Sequence, residues 1–254
     1  MKISFLGAHN LESATTGCVC LLVDDVMALD AGNLTSSLSF EAQLALKYVV
    51  ITHPHFDHMR DMPALGMNLS LQEGSLDVFA IEPVFEMLEK TLVNDTVYPD
   101  YFRRPPEKPA LRKHVLKIGE ESSVGPYRVL PIPMAHSVPA AGIQITGPNG
   151  EKLFFSGDCG PGIKWGAVAP DLLIIETTAL NKYDKFAHDS GHLTPALLEK
   201  ELAALQEGLG YLPKVVTIHM NPLDEAEIRA ELDRAGSNLG IHIETAYEGL
   251  CIEL

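Results

Sequence analysis

Residues 53–58 read His-Pro-His-Phe-Asp-His, three imidazoles and a carboxylate within six positions at the end of an apolar run, YVVIT (48–52). Where a buried strand leaves its sheet, alternation sends His53 and His55 toward one point. The turn that follows brings Asp57 and His58 to an adjacent point. Imidazole nitrogen and carboxylate oxygen together suit zinc, iron or manganese. Such density of titratable groups beside a buried strand is costly unless the groups share a cation.

The elements that must carry these groups are legible as periodicity. KISFL (2–6), CVCLLV (18–23), VMALD (26–30) and YVVIT read as strands, with Asp24-Asp25 a tight turn between the second and third. DVFAI (77–81), VLKI (115–118), YRVLPI (127–132), GIQI (142–145), KLFFS (152–156), DLLIIE (171–176) and KVVTIH (214–219) extend the strand list, and GPNG (147–150) is a hairpin turn. Helical spacing marks 40–47 behind a Ser39 N-cap, 62–71, 82–93 with Pro83 in the first turn, 195–205 and 225–234. Two strand-rich halves with interspersed helices predict an α/β (α+β) fold of two sheets with helices packed outside, in one domain over 1–254. Residues 94–113 read as an irregular, proline-rich excursion. Its Tyr98, Tyr101, Phe102, Arg103 and Arg104 either close over a base and a phosphate, or serve as an anchor or dimer contact.

The H-x-H-x-D-H pattern resembles the metallo-β-lactamase superfamily, and the likeness runs over most of the chain. It implies an αββα sandwich of two mixed sheets. It also implies roles for residues matched one at a time: Asp30 in LDAG orients a histidine, His136 in MAHSVPAAG and His219 in VVTIHMNP are ligands, and Asp158 in FFSGDCG bridges two metals. On that resemblance His53, His55, His136 and Asp158 hold one divalent ion, and Asp57, His58, Asp158 and His219 hold the other. Zinc is the expected metal, with manganese and iron as alternatives. Further stretches resemble the class II cyclic-nucleotide phosphodiesterase group, itself related to transfer-RNA 3′-processing endonucleases: VYPDYF (97–102), HSVPAAGIQI (136–145), FSGDCGPG (155–162), IIETT (174–178), SGHLTPALLEKEL (190–202) and IHMNP (218–222). This implies hydrolysis of a 3′,5′-cyclic nucleotide or related small phosphodiester by metal-bound hydroxide, with Asp57, Glu176 and His192 as the catalytic set. Glu176 would raise the His192 pKa and fix its tautomer. Asp61 and Phe56 depart from the glycine and leucine frequent at those positions, which places substrate choice with the rim, on segment 97–104 and loop 181–191.

The chain of 254 residues carries a formal net charge of −15, which disfavours nucleic acid as a partner and leaves a small anion as the expected substrate. A homodimer is compatible with this. The four cysteines form no C-x-x-C pair, and Cys18 and Cys20 alternate as core filling. No stretch approaches a membrane span and the N-terminus lacks a leader pattern, so the expected partners include no membrane and the expected location is cytoplasmic. Arg60 either steers an anion or is an ordinary surface arginine. His9 either borders the pocket or sits in a turn, and His114, His188 and His242 are expected to be structural. The rival functions are a transfer-RNA 3′-processing-type endoribonuclease, a lactone or thioester hydrolase, and a non-catalytic metal binder.

Overall fold

The computed structural model describes residues 1–254, apart from the side chain at position 167. In the first half β1 (Lys2–Gly7), β2 (Cys20–Val23) and β3 (Met27–Leu29) pair antiparallel. Then β4 (Tyr48–Ile51), β5 (Leu76–Ala80) and β6 (Leu111–Val115) continue the sheet in parallel. The second half mirrors this. Here β7 (Ser122–Val124), β8 (Tyr127–Met134), β9 (Ala140–Thr146) and β10 (Lys152–Phe155) are antiparallel, and β11 (Leu172–Glu176), β12 (Lys214–Ile218) and β13 (Ile243–Thr245) extend β10 in parallel. The last strand, β14 (Cys251–Glu253), returns to pair with β1. Each sheet has seven strands.

The helices are α1 (Leu34–Ser37), α2 (Phe40–Ala45), α3 (Phe56–Met59), α4 (Met62–Leu71), α5 (Glu82–Thr91), α6 (Asp184–Ser190), α7 (Pro195–Leu209) and α8 (Glu225–Leu239). Strand β11 shows how the layers are built. Its Leu172 and Ile174 join a cluster with Phe5, Leu21 and Val50 of the other sheet. Its Leu173 and Ile175 pack with Leu198 and Leu202 of α7 and Ile228 and Leu232 of α8. A strand covered on both faces reads as a continuous apolar run, as LLIIE does. The two sheets therefore form a sandwich with helices outside.

Local chemistry accounts for the joints. Asp24 and Asp25 have φ 49° and 58°, the backbone of a type I′ hairpin turn, and Val26 N donates to Val23 O at 3.1 Å. Ser39 accepts from Ala42 N at the start of α2. Helices α7 and α8 run beyond their expected ends, to left-handed Gly210 and Gly240. No helix among the described residues is long and apolar enough to cross a membrane.

Three expectations need correction. The strand expected at 115–118 is Leu111–Val115 instead, and it begins inside the segment 94–113 expected to be irregular. It is an edge strand, so hydrogen bonding to β5 defines it rather than burial, and Val115 is 47% exposed. The expected rim segment 97–104 lies elsewhere. Leu111 N donates to Tyr101 O, and Leu111 pairs with Leu76 at the start of β5. The Ile51–Ala80–Val115 row that leads into the histidine motif is four residues further along, about 13 Å at strand rise. Tyr101 is buried against Gly66 of α4, where an added Cβ would meet its ring at 2.6 Å, and Phe102 stands edge-on to Phe85. The segment anchors the far end of the first sheet. Asp61 is likewise no rim residue: it is buried, and its Oδ2 accepts from Thr35 N at 2.7 Å in the first turn of α1.

Candidate metal centre

His53, His55, His136, Asp158 and His219 follow directly on strand ends, Asp57 and His58 sit in the short helix α3 after β4, and all converge at one edge of the sandwich. His53, His55, His136 and Asp158 present ligand atoms within 4.8 Å of one another, as do Asp57, His58 and His219. Asp158 lies between the two groups. Its Oδ2 is 3.5 Å from His53 Nε2 and 3.5 Å from His219 Nε2, and its Oδ1 is 3.1 Å from His58 Nε2. His136 Nε2 and His53 Nε2 approach His55 Nδ1 at 3.0 and 3.1 Å. His219 Nε2 is 3.3 Å from Asp57 Oδ2.

The outer ring nitrogens of His53, His58, His136 and His219 are engaged, which decides what the inner ones can do. His58 Nδ1 donates to Asp30 Oδ2 at 2.7 Å. Thr52 Oγ1 donates to the same carboxylate and accepts from His53 Nδ1 at 3.0 Å. His136 Nδ1 donates to Gly191 O at 2.8 Å. His219 Nδ1 donates to Thr178 Oγ1 at 2.7 Å, and Thr178 donates to Glu176 Oε2 at 2.7 Å. Protons held at Nδ1 leave Nε2 lone pairs pointing inward on His53, His58, His136 and His219. Lone pairs packed against each other and against a carboxylate repel unless a cation lies between them. His58 Nε2 and Asp158 Oδ1 make the same point: both are buried, 3.1 Å apart, and neither makes a hydrogen bond. The donor set fits divalent cations.

Electrostatics differ around the cluster. Burial pushes the His53, His55 and His136 imidazoles below their usual pKa. Burial also penalises charge on His58, but Asp158 and Asp30 outweigh it and hold that ring well above the usual value. For Asp57, burial is outweighed by the neighbouring His219 and His58 imidazoles, so the carboxyl stays below its usual range. His192 Nδ1 donates to Glu176 Oε1 at 2.7 Å. Burial opposes its charge, yet Glu176 raises it to about 9. A ring nitrogen of His192 lies within 4.8 Å of ligand atoms of Asp158 and His219.

Two turns at the site, one carrying the orienting Asp30 and one the ligand candidate His219, are held in the left-handed backbone region. Asp30 has φ 56° and His219 φ 67°, conformations that carry strain in non-glycine residues. His219 is held there by its N–H, which donates to Ala8 O at 2.7 Å. The loop carrying Ala8 is tied down in turn by Glu248. That carboxylate accepts from Ala8 N, Gly17 N and His9 Nδ1, the last at 2.7 Å. His9 is thus buried against Glu248, behind the turn that carries His219. Gly191 has φ 76°, and a Cβ there would come within 2.6 Å of His136 Cα. Only glycine allows that carbonyl to reach the ring.

Thr52, Thr178, Gly191 and Glu248 were not foreseen from the sequence. The two threonines stand inside motifs already noted, one or two residues from an acid or imidazole, and that proximity was the available signal. Arg60 pairs with surface Glu12 and reaches toward Asp61, so it is committed to the protein surface. His114 stacks on Phe79 and bonds Asp77, His188 lies beside Asp189, and His242 is exposed. Cys18 and Cys20 are buried as core filling, and Phe56 stands exposed on the rim.

Comparison with known proteins agrees with this geometry. The family model of the beta-lactamase superfamily domain matches residues 25–242. The structure of yeast PDE1, unliganded, superposes with TM-score 0.83 at 16% identity, over 100% of this chain and 99% of that one. YhfI from Bacillus subtilis, a metallo-beta-lactamase fold protein, gives 0.76 at 17% identity, over 100% and 99%. The short form of human tRNase Z gives 0.69 at 19% identity, over 100% and 99%. No curated protein sequence matches. With the family match covering most of its length and a cation-fitting cluster at the sheet edge, the chain belongs to the metallo-β-lactamase superfamily of metallo-hydrolases.

Proposed function

We propose that this protein is a phosphodiesterase acting through its whole length, 1–254, on a small phosphodiester, with 3′,5′-cyclic nucleotides as the favoured substrates. Its cofactors are two divalent metal ions, zinc by donor chemistry. One is held by His53, His55, His136 and Asp158, the other by Asp57, His58, Asp158 and His219. When bound, such a pair supplies an acidified water and neutralises phosphoryl charge.

The observation that carries the reading is the Glu176–His192 pair. Glu176 is fully buried and accepts from His192 Nδ1, Cys159 N, Thr178 Oγ1 and Leu193 N, so its charge is fixed in place. It keeps His192 protonated at neutral pH and presents the far ring nitrogen to the centre. A cation beside the cluster binds a non-bridging phosphoryl oxygen, or gives its Nε2 proton to the departing alkoxide. Asp57 orients the attacking water through its carboxylate. A lactone or thioester has no phosphoryl charge for this cation to meet, and the net charge of −15 repels a polyanionic RNA more than a mono-anion.

The test is kcat/KM of one zinc-loaded preparation on cyclic nucleotides, precursor transfer RNA and a lactone and thioester panel. Cyclic-nucleotide turnover with little RNA cleavage is expected. Efficient RNA cleavage without cyclic-nucleotide turnover would move the protein to the endonucleases, and a preference for lactones to another branch of the superfamily.

A further inference from the structure

Beside the His192–His219 wall of the centre lies a cleft of about 520 Å³. Three separate loops line it. Asn10 comes from the turn after β1, Thr178, Tyr183 and Phe186 from the segment after β11, and Asn221 and Asp224 from the turn after β12. Thr178 joins it to the centre, because the same hydroxyl bonds His219 and Glu176.

The lining is unusual in what it leaves unused. Tyr183 and Phe186 are three residues apart at the start of α6, so they share a face, and they are 46% and 65% exposed. Lys182 Nζ lies over one face of Tyr183, 5.1 Å from the ring centroid; the other face of Tyr183 and the Phe186 ring stand in water beside a polar centre and offer π surface to a flat ligand. Asp224 occupies the N-cap position of α8, yet its side chain does not cap the helix. Its Oδ2 accepts only from Asn221 Nδ2, at 3.2 Å. The Asn10 side chain, also in the lining, makes no hydrogen bond among the described residues; its Oδ1 is shut from solvent, and Nδ2 is the atom left for the cleft. An ionised carboxylate can only accept, and the amide nitrogen of Asn10 can only donate. A ligand that satisfies them is planar, with N–H donors on the edge facing Asp224. Uracil, with carbonyls flanking its single N–H, meets that carboxylate poorly. An amino-bearing purine meets it well.

We propose that this cleft is a nucleobase subsite selective for amino-bearing purines, with the base stacked on Tyr183 and Phe186 and its amine edge on Asp224. The proposal rests on the phosphodiesterase reading, in which the phosphate lies at the centre and the base must lie to one side.

The experiment compares wild type, Phe186→Ala, Tyr183→Ala and Asp224→Asn on 3′,5′-cyclic GMP, AMP and UMP and on methyl p-nitrophenyl phosphate, which carries no base. Calorimetric binding of 5′-GMP to the same metal-loaded proteins is measured alongside. Wild type is expected to favour both purines over uracil by about 10-fold or more, and each aromatic variant to lower the ratio of cyclic GMP to methyl p-nitrophenyl phosphate kcat/KM by about 10-fold, chiefly through KM. Asp224→Asn should shrink the purine-over-uracil preference, and all three variants should weaken 5′-GMP binding. Folded variants with unchanged ratios and unchanged 5′-GMP affinity would overturn the subsite. Turnover of methyl p-nitrophenyl phosphate without nucleotide turnover would also overturn it, while leaving a phosphodiesterase. Variant-sensitive 5′-GMP binding without any phosphodiester turnover would keep the subsite and remove the proposed reaction.

Discussion

Each sheet contributes one buried carboxylate that works through a threonine on two imidazoles. In the first sheet Asp30 holds His58 directly and His53 through Thr52. In the second, Glu176 holds His192 directly and His219 through Thr178. Both carboxylates and both threonine–histidine joints are buried. The difference lies in the directly held imidazole. His58 is sealed from solvent and its free nitrogen faces Asp158 at 3.1 Å, whereas the His192 side chain keeps 18% of its surface exposed. On the proposed metal assignment, one relay therefore spends both imidazoles on cation binding. The other commits one to the cation site and leaves one, charged, on the accessible side. On the proposed function, the same hydrogen-bonded unit serves as a ligand clamp or a proton donor according to whether its imidazole faces a neighbouring carboxylate or the mouth of the site.

The largest expected effect separates the two roles. His192→Ala should leave metal content near wild type and lower kcat by about 10²–10⁴-fold on a poor leaving group. The loss should shrink on p-nitrophenyl esters, which need no proton. An equal loss on every substrate would point to phosphoryl binding, and loss of metal would make His192 a ligand and abolish the contrast between the relays.

Next in size is Asp30→Asn, which loosens two ligands, one for each ion, and should weaken both metals by about 10–100-fold. Glu176→Gln should weaken only the ion held by His219. Stepwise metal titration of the two variants reads this directly, and equal weakening of both ions in both variants would show that the relays are not specialised.

Glu248 sharpens the comparison with a histidine–carboxylate pair of the same 2.7 Å length that holds no proposed ligand. Burial opposes its ionisation, but hydrogen bonds from His9 and Gly17 outweigh it and lower the Glu248 pKa to about 2. A depressed carboxyl stabilises the fold above its ordinary pKa, near 4.5. That contribution fades as pH falls from there toward 2. Thermal unfolding should show Glu248→Gln less stable than wild type at pH 6, with the gap closing below pH 4. A gap independent of pH would mean the pair contributes through packing alone.

The strands that the sequence reading missed or misplaced are the four sheet edges, β6, β7, β13 and β14. Edges bury one side or neither, so LRKHV and SSV carry no apolar alternation; LRKHV pairs with a strand distant in sequence, and SSV is fixed only as the short arm of a hairpin with β8. Interior strands such as LLIIE announce themselves because both faces are covered. The 97–104 segment failed differently: aromatic and arginine residues suggest ligand contact by type, but only the register of β6 against β5 shows that they lie at the opposite end of the sheet.

For the site, the sequence by itself determined the ligand types and their position after buried strands, because imidazoles and carboxylates crowded at strand ends have few other uses. It also determined that Glu176 and His192 would be partners, through their likeness to a known pattern. Only the tertiary structure decided which nitrogen of each ring faces inward. That choice depends on acceptors from other parts of the chain: Asp30 for His58, Gly191 for His136, and Thr178 for His219. A hydrogen bond across 28, 55 or 41 residues leaves no periodic trace in either stretch of sequence. It exists because pairing within each sheet sets strands distant in sequence side by side, so that their ends meet at one edge.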